Sequence, residues 1–380
     1  MAQLNNPCGV FVSDGEIYIA DKYNHRVRKV LRNGQIVTIA GTGIHGYNGD
    51  GQLATDAQLD HPCAVVVSSS DQVYISEFTG CRIRKIDGNG MISTIAGSGK
   101  GIYNGDDQLA TNAHLFNPSG LFVTEDEEVL IADNGNHRMR KVDRNGIIST
   151  IAGNGNKGYN GDGIPATSAS LKNPTSVFQY KHELYIADSN NFRIRKVDRN
   201  GTISTITITL VSNIPSWLCI QPSWQFNEIT PDSLFVHHDE VYFTDGVYHV
   251  FKVFPDGTLT AVAGVRMNAG YNGDDMLATE CKLFFPSGIF VDDESQIFIA
   301  DAYNSRIRRI DRNGMMRTVV GTGERGYSGD VPFDFDQYPH IGPRKKSLIK
   351  PFPHAYHDLI VICEKHDQYG PITKNKYVVK

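Results

Sequence analysis

Asn117-Pro118-Ser119-Gly120-Leu121-Phe122-Val123, Val129-Leu130-Ile131-Ala132-Asp133, Arg138-Met139-Arg140-Lys141-Val142 and Ile147-Ile148-Ser149-Thr150-Ile151-Ala152 follow one another between residues 117 and 152. Each run is short, rich in β-branched or aromatic side chains, and bounded by turn residues: Glu125 to Glu128, Asn134 to Asn136, and the Asn145-Gly146 hairpin step. The first two runs are almost wholly apolar, whereas the third carries two arginines and a lysine. Polarity that rises strand by strand predicts a four-stranded antiparallel sheet with its first strand inside and its last outside.

The same phrase recurs six times. The anchor Asp-x-x-Asn-x-Arg, or a worn form of it, starts at Asp21, Glu77, Asp133, Asp188, Asp245 and Asp301, in steps of 55 to 57 residues. A proline before an apolar run keeps the same step at Pro7, Pro62, Pro118, Pro174, Pro231 and Pro286. A period this regular predicts a repeat architecture. The fold expected is therefore all-β, a six-bladed β-propeller with four antiparallel strands per blade. Its blades fall at about 4–61, 62–117, 118–173, 174–230, 231–285 and 286–330.

An insert follows most copies: Gly46-Tyr47-Asn48-Gly49-Asp50-Gly51 through Leu59, then Ile102–Leu115, Gly158–Leu171 and Gly270–Leu283. Its Asn-Gly and Asp-Gly steps suit a tight loop. Thr55, Thr111, Thr167 and Thr279 are expected to cap one helical turn, with Gln58 completing a capping box. All inserts join an outer strand to the next inner strand and are expected to gather on one face. Blade four lacks the insert and instead carries Trp217, Cys219 and Trp224. In blade five, Asp245 is followed by Tyr248 and Val250 where Asn and Arg are expected.

These residues resemble the NHL-repeat family, whose signature joins a Pro-x-Gly strand, an Ala-Asp strand end and an Asn-x-Arg-Ile strand. The Gly-Tyr-Asn-Gly-Asp-Gly inserts are similar to those of a set of multi-repeat NHL proteins without assigned chemistry. The resemblance covers about residues 4–330 and implies a propeller used to bind protein, RNA or small molecules.

Composition narrows the choice. The 380 residues are 40% hydrophobic and 21% charged, with net charge -5 and pI near 6.2, so no global attraction to DNA, RNA or an anionic membrane is expected. Six cysteines lie far apart without a CxxC pair. They predict reduced thiols in an intracellular, cytoplasmic protein. No apolar stretch is long enough to span a bilayer and no signal-peptide core opens the chain.

The ring of acids is read as structural. Each Asp ends a strand before a tight turn, and Asp21/Arg26, Asp133/Arg138, Asp188/Arg193 and Asp301/Arg306 are expected to pair. No copy is expected to have gained the histidine or paired acid of a catalytic centre. The inner strand starts offer one Asp, no Glu and no His, which disfavours lyase or lactonase metal chemistry. The Asn48/Asp50 pattern lacks the spacing of a calcium loop. Arg26/Arg28, Arg82/Arg84, Arg138/Arg140, Arg193/Arg195 and Arg306/Arg308 raise RNA binding as the alternative. Tyr47, Tyr103, Tyr159, Tyr271 and Tyr327, with Trp217 and Trp224, form the candidate binding surface.

Residues 331–380 leave the repeat. Prolines and Arg344-Lys345-Lys346 read as a linker, and the runs Asp358–Cys363 and Lys376–Lys380 as a hairpin. That hairpin weakly resembles the opening of a BTB/POZ domain, implying a following domain cut short; a surface tail is the plainer reading. His354, His357, Cys363 and His366 match no zinc spacing. The ring is expected to close by packing of blades one and six or through this hairpin. The function expected is a non-enzymatic scaffold for a protein partner, with no catalytic, cofactor or metal residues. A propeller hydrolase or lyase stands as the second alternative after RNA binding.

Overall fold

A computed structural model describes residues 2–208, 229–265 and 268–330. They form six antiparallel sheets, the blades of a six-bladed all-β propeller. Blade one is built from Pro7–Ser13, Glu16–Asp21, Arg26–Val30 and Ile36–Ala40. Burial follows the sequence gradient. In blade three, Pro118–Val123 and Val129–Asp133 are buried throughout. Arg138–Val142 is buried at alternate positions, and Ile147–Ala152 is mostly half-exposed. Trp217, Trp224 and the tail with its expected hairpin lie outside the described residues.

Neighbouring inner strands interlock through aromatic rings and hydroxyls. Phe122–Phe178, Phe178–Phe235, Phe235–Phe290 and Phe290–Phe11 meet at 4.9–5.2 Å between ring centroids, edge-on or tilted as aromatic quadrupoles prefer. Along a second line, hydroxyls donate to the main chain of the next blade. Ser76 reaches Ser119 O at 2.7 Å, Ser119 reaches Thr175 O at 3.0 Å, and Thr175 reaches Asp232 O at 2.6 Å. Thr244 reaches Ser287 O at 2.9 Å and Ser287 reaches Cys8 O at 3.0 Å. Only the blade one–two junction departs, with Cys8 Sγ 3.9 Å from Cys63 Sγ.

Each insert lies on the blade that follows it. Gln52–Leu53 pairs with Ile92 and Met91 of blade two, and Gln108–Leu109, Ile164–Pro165 and Met276–Leu277 do the same for blades three, four and six. These blades gain a fifth, outermost strand. Gly41, where the chain turns into the first insert, has φ +94, and a Cβ there would lie 2.2 Å from His25 O. The expected threonine caps do not form. Thr55 lies inside the 3-10 turn Ala54–Asp56, which has no side-chain cap, and the other three turns agree. The loop is held by its asparagine instead. Asn48 Oδ1 accepts the Gln58 N–H at 2.8 Å while its amide donates to Asp56 O at 3.0 Å. Asn104, Asn160 and Asn272 repeat both bonds.

The ring closes through Gly326 to Asp330, the insert motif that follows blade six. Asn24 donates to Gly326 O at 2.6 Å, Gln3 N–H to Ser328 Oγ at 3.0 Å, and Thr38 N–H to Asp330 Oδ2 at 2.5 Å. Leu4 and Arg325 form a parallel bridge, and Asp330 pairs with the buried Arg28 of blade one. Closure thus adds a side-chain clasp to the expected packing of blades one and six. Asp330→Ala leaves Arg28 Nη2 without that acceptor in a dry site. It should lower unfolding stability by about 1–3 kcal/mol in urea denaturation, and an unchanged midpoint would remove the clasp from closure.

Candidate functional site at the insert face

Antiparallel order puts the start of strand one, the end of strand two, the start of strand three and the end of strand four at one end of every blade. The acid anchors, their turns and the insert roots therefore share that end. At five of the six anchors the carboxylate is fully buried, and Asp245 keeps 9% exposure. Asp21 Oδ1 accepts the Asn5 N–H at 2.8 Å and Oδ2 accepts the Asn24 amide at 2.7 Å. Glu77, Asp133, Asp188 and Asp301 likewise accept the N–H two residues before their blade's first proline.

The expected arginine pairings are corrected by one alternation of the strand. Asp21 and Arg26 stand opposite in the ladder, but the Arg26 guanidinium donates to Asn24 O and Thr42 O. Arg138 and Arg306 likewise bond two carbonyls each, and Arg193 bonds Asn191 O. The anchor's partner is the arginine two residues further on. Arg28 Nη1 lies 3.5 Å from Asp21 Oδ2. Arg84, Arg140, Arg195 and Arg308 lie 3.4 Å from Glu77, Asp133, Asp188 and Asp301.

Each of these five arginines is fully buried and bridges a second carboxylate, supplied by the preceding insert. Arg84 takes Asp50 at 2.8 Å, Arg140 takes Asp106 at 2.7 Å, Arg195 takes Asp162 at 2.8 Å and Arg308 takes Asp274 at 3.0 Å. Nη2 also reaches a carbonyl of the same insert, such as Gly49 O at 3.0 Å. Blade five has no arginine at this position. There His249 Nδ1 meets Asp245 Oδ2 at 2.8 Å, and Asp245 Oδ1 accepts three turn N–H groups. Only in this blade does the Asp bind its own turn's N–H groups as expected.

The candidate tyrosines belong to the same joint. Tyr47 lies beneath the Arg82 guanidinium at 3.9 Å, Tyr103 beneath Arg138 at 3.8 Å and Tyr159 beneath Arg193 at 4.0 Å. Tyr271 and Tyr327 are each 3.8 Å from Arg306 and Arg26. The hydroxyls of Tyr103, Tyr159 and Tyr271 bond the aspartate three residues on. These rings are therefore clamped, and Tyr47, Tyr159, Tyr271 and Tyr327 remain 38–41% exposed. The large apolar side chains that stand exposed among the described residues all lie on inserts or their roots, with Ile44 at 61% and Ile102 at 74% the most open.

Two groupings were not legible in the strand pattern. At the hub, Lys22 is fully buried with its ammonium 4.7 Å from the Phe78 ring, beside the Cys8 and Cys63 thiols. Asp232 is buried, and neither of its carboxylate oxygens has a hydrogen-bond partner among the described residues. Burial pushes its carboxyl well up, and the Lys22 ammonium pulls the other way. Burial likewise pushes the Cys63 thiol up, so it is protonated at neutral pH. The second grouping corrects the expectation that no copy gained histidine. His25, Asp60 and His61 bring ligand atoms within 4.8 Å of one another between blades one and two, and the His45 ring is 5.6 Å from that of His25. Burial pushes His25 down to about 4 and lowers His61 as well. The repeat itself could have shown this, since His45 and His61 sit at turn positions that other copies fill differently.

The teneurin NHL domain model matches residues 45–104 and 260–337, and the NHL repeat model matches residues 4–30. Teneurin-4 of Mus musculus is 25% identical over 361 residues, covering 82% of this chain and 12% of its own length. NHL repeat-containing protein 2 of Gallus gallus is 28% identical over 232 residues, covering 52% of this chain and 31% of its own. The chain thus spans under a third of the length of these curated relatives. Among solved structures, a streptogramin B lyase superposes with TM-score 0.51 at 13% identity, over 83% of both chains. A gluconolactonase from Xanthomonas campestris gives 0.51 at 13%, over 83% of this chain and 86% of its own. A chain of the nidogen/laminin complex gives 0.51 at 12%, over 80% and 92%. Likeness at this level is a likeness of fold.

Burial raises the Asp21, Asp133, Asp188 and Asp301 carboxyls to about 6 and Glu77 to about 7. A carboxyl raised on folding favours the native state below its unfolded pKa, and that contribution is lost as pH rises through the folded value. His25 and His61, lowered on folding, run the opposite way. Glu77→Gln isolates the carboxyl. The stability of the native chain minus that of the variant should grow by on the order of 2 kcal/mol between pH 8 and pH 5 in denaturant titrations. A difference flat with pH would show that Glu77 stays ionised.

Proposed function

We propose that this six-bladed propeller, whose repeats match those of the NHL type, is a non-enzymatic scaffold that presents its insert face to a protein partner. The observation that carries the reading is where apolar surface is exposed. Ile44, Leu53, Ile102, Leu109, Phe116 and Leu277 stand out on loops that are otherwise pinned at both ends. A patch of apolar side chains on a pre-ordered frame binds with little ordering cost. The first two inserts contribute most of it.

The tyrosines enter this reading as supports. Their rings hold the arginines that hold the inserts, and only their outer faces are available to a partner. The same geometry opposes RNA binding. Arg28, Arg84, Arg140, Arg195 and Arg308 are buried between carboxylates, and the outer arginines are spent on carbonyls and rings, so among the described residues these ten form no cluster of uncompensated cations for phosphate. Propellers of this shape include a lyase and a gluconolactonase as well as a chain of a laminin complex, so the fold admits catalysis and assembly alike. Cys8, Cys63, Lys22 and Asp232 are not the set of imidazoles and carboxylates that a hydrolytic metal centre uses.

Ile44→Ser, Ile102→Ser and Leu109→Ser together remove exposed apolar surface without touching any clamp. The triple variant should melt within a few degrees of the native chain, as exposed substitutions cost about 0.5 kcal/mol or less each. Its capture of partners in cross-linking pull-downs should fall at least about tenfold. Undiminished capture by the folded variant would sink the insert-face reading, and retention on RNA instead would favour the alternative.

A further inference from the structure

We propose that His25, Asp60 and His61 form a zinc-binding site at the junction of blades one and two, with His45 close enough to complete it. Two imidazoles and a carboxylate are the donor set of tetrahedral zinc, with bonds of about 2.0–2.2 Å. Their ligand atoms already lie within 4.8 Å of one another. Around tetrahedral zinc such atoms stand roughly 3.4 Å apart, so closure asks for side-chain rotation and no movement of strands. The His61 and Asp60 side chains are 28% and 24% exposed, which leaves an ion a path from solvent.

The frame around the three residues is fixed. Both His25 and His61 hold left-handed backbone, φ 51 for each, a conformation set by the turn after the anchor and by the entry into the next blade. The Asp60 N–H is held by Glu77 Oε1 at 2.8 Å. Thr79 Oγ1 donates to Asp60 Oδ1 at 2.8 Å and stands 2.7 Å from His61 Nδ1. Asp60 Oδ1 is itself 2.7 Å from His61 Nδ1. The Tyr23 ring packs edge-on to His61 at 5.6 Å. A hydroxyl partner such as Thr79 fixes a ligating imidazole's orientation.

The other junctions act as internal controls. Where this one has His61, the equivalent positions carry Asn6, Asn117, Asn173 and Phe285, all in the same left-handed conformation. Where it has Asp60, they carry Asn5, Phe116, Lys172 and Phe284. The nearest analogue is the junction of blades three and four, where His137 Nδ1 accepts the Asn173 N–H at 3.1 Å. His25 receives the His61 N–H in the same way at 3.4 Å. One histidine at this turn is thus explained by the backbone alone. A second imidazole, a carboxylate and a third imidazole gathered beside it are not.

The test uses the full-length chain, stripped with chelator and titrated with Zn2+ alone by calorimetry. One ion should bind per chain. His61→Asn and Asp60→Asn each install a residue that the fold already accepts at equivalent positions. Each should weaken binding at least about tenfold, or about 1.4 kcal/mol, while melting of the zinc-free chain stays within a few degrees of native. His137→Asn should leave zinc affinity unchanged. Co2+ in place of Zn2+ should give visible ligand-field bands without a thiolate charge-transfer band. Absence of binding, equal binding by His61→Asn and Asp60→Asn, or a thiolate band placing the ion at cysteine would each overturn the site.

Discussion

A buried guanidinium shared by two carboxylates organises this molecule. Arg28, Arg84, Arg140, Arg195 and Arg308 each lie between the acid anchor of their own blade and the aspartate of the insert arriving from the blade before. Such a charge is costly to bury; here acids meet the terminal nitrogens, while Nε of each of the five finds no hydrogen-bond partner among the described residues. Arginine suits the place because its planar fork reaches two acids and a carbonyl at once, which a lysine could not. The consequence is cooperative. An insert is ordered by the next blade's arginine, and that arginine is satisfied only when the insert is in place.

The departures from the pattern follow the same logic. In blade five Phe251 stands opposite Phe243, in the register that the buried arginine holds elsewhere, and the segment before the blade has no Gly-Tyr-Asn-Gly-Asp. The arginine and the insert are missing together, and His249 takes over the anchor. At the blade one–two junction the inner hydroxyl is replaced by thiols and a buried lysine, while the turns above carry three histidines and an aspartate. Five junctions join their inner strands through the same hydroxyl-to-carbonyl bond. The sixth is where the chain has placed side chains with further chemistry.

Much of this was legible in the sequence. The period, the turn residues and the rising polarity of successive strands give the blade count and the strand order, because each is a local property repeated six times. The arginine partner was not legible, because residues five and seven after the anchor point to the same side of the strand. Side-chain reach separates them, and period-two patterning cannot. The docking of inserts spans 33 to 35 residues between partners, beyond any turn signature. One clue was present: the blade without the arginine is the one preceded by no insert motif. The threonine caps failed for a related reason, since Asn48 and its equivalents bond the far side of the loop and leave the turn no need of a cap. The histidine grouping was not legible because its members lie in turns, away from the strand ends that the repeat pattern marks.

The insert amides report most directly on whether the loops are pinned to the following blade. Gly51 and Ala54, Asp107 and Ala110, Gly163 and Ala166, and Asp275 and Ala278 all donate to carbonyls of the next blade's outer edge. Native-state hydrogen exchange followed on peptides covering the inserts should show these amides protected to the same degree as the fourth strands they bond, and opening together with them. Exchange at free-loop rates while those strands stay protected would contradict the account, since the arginines would then be holding their own blades only.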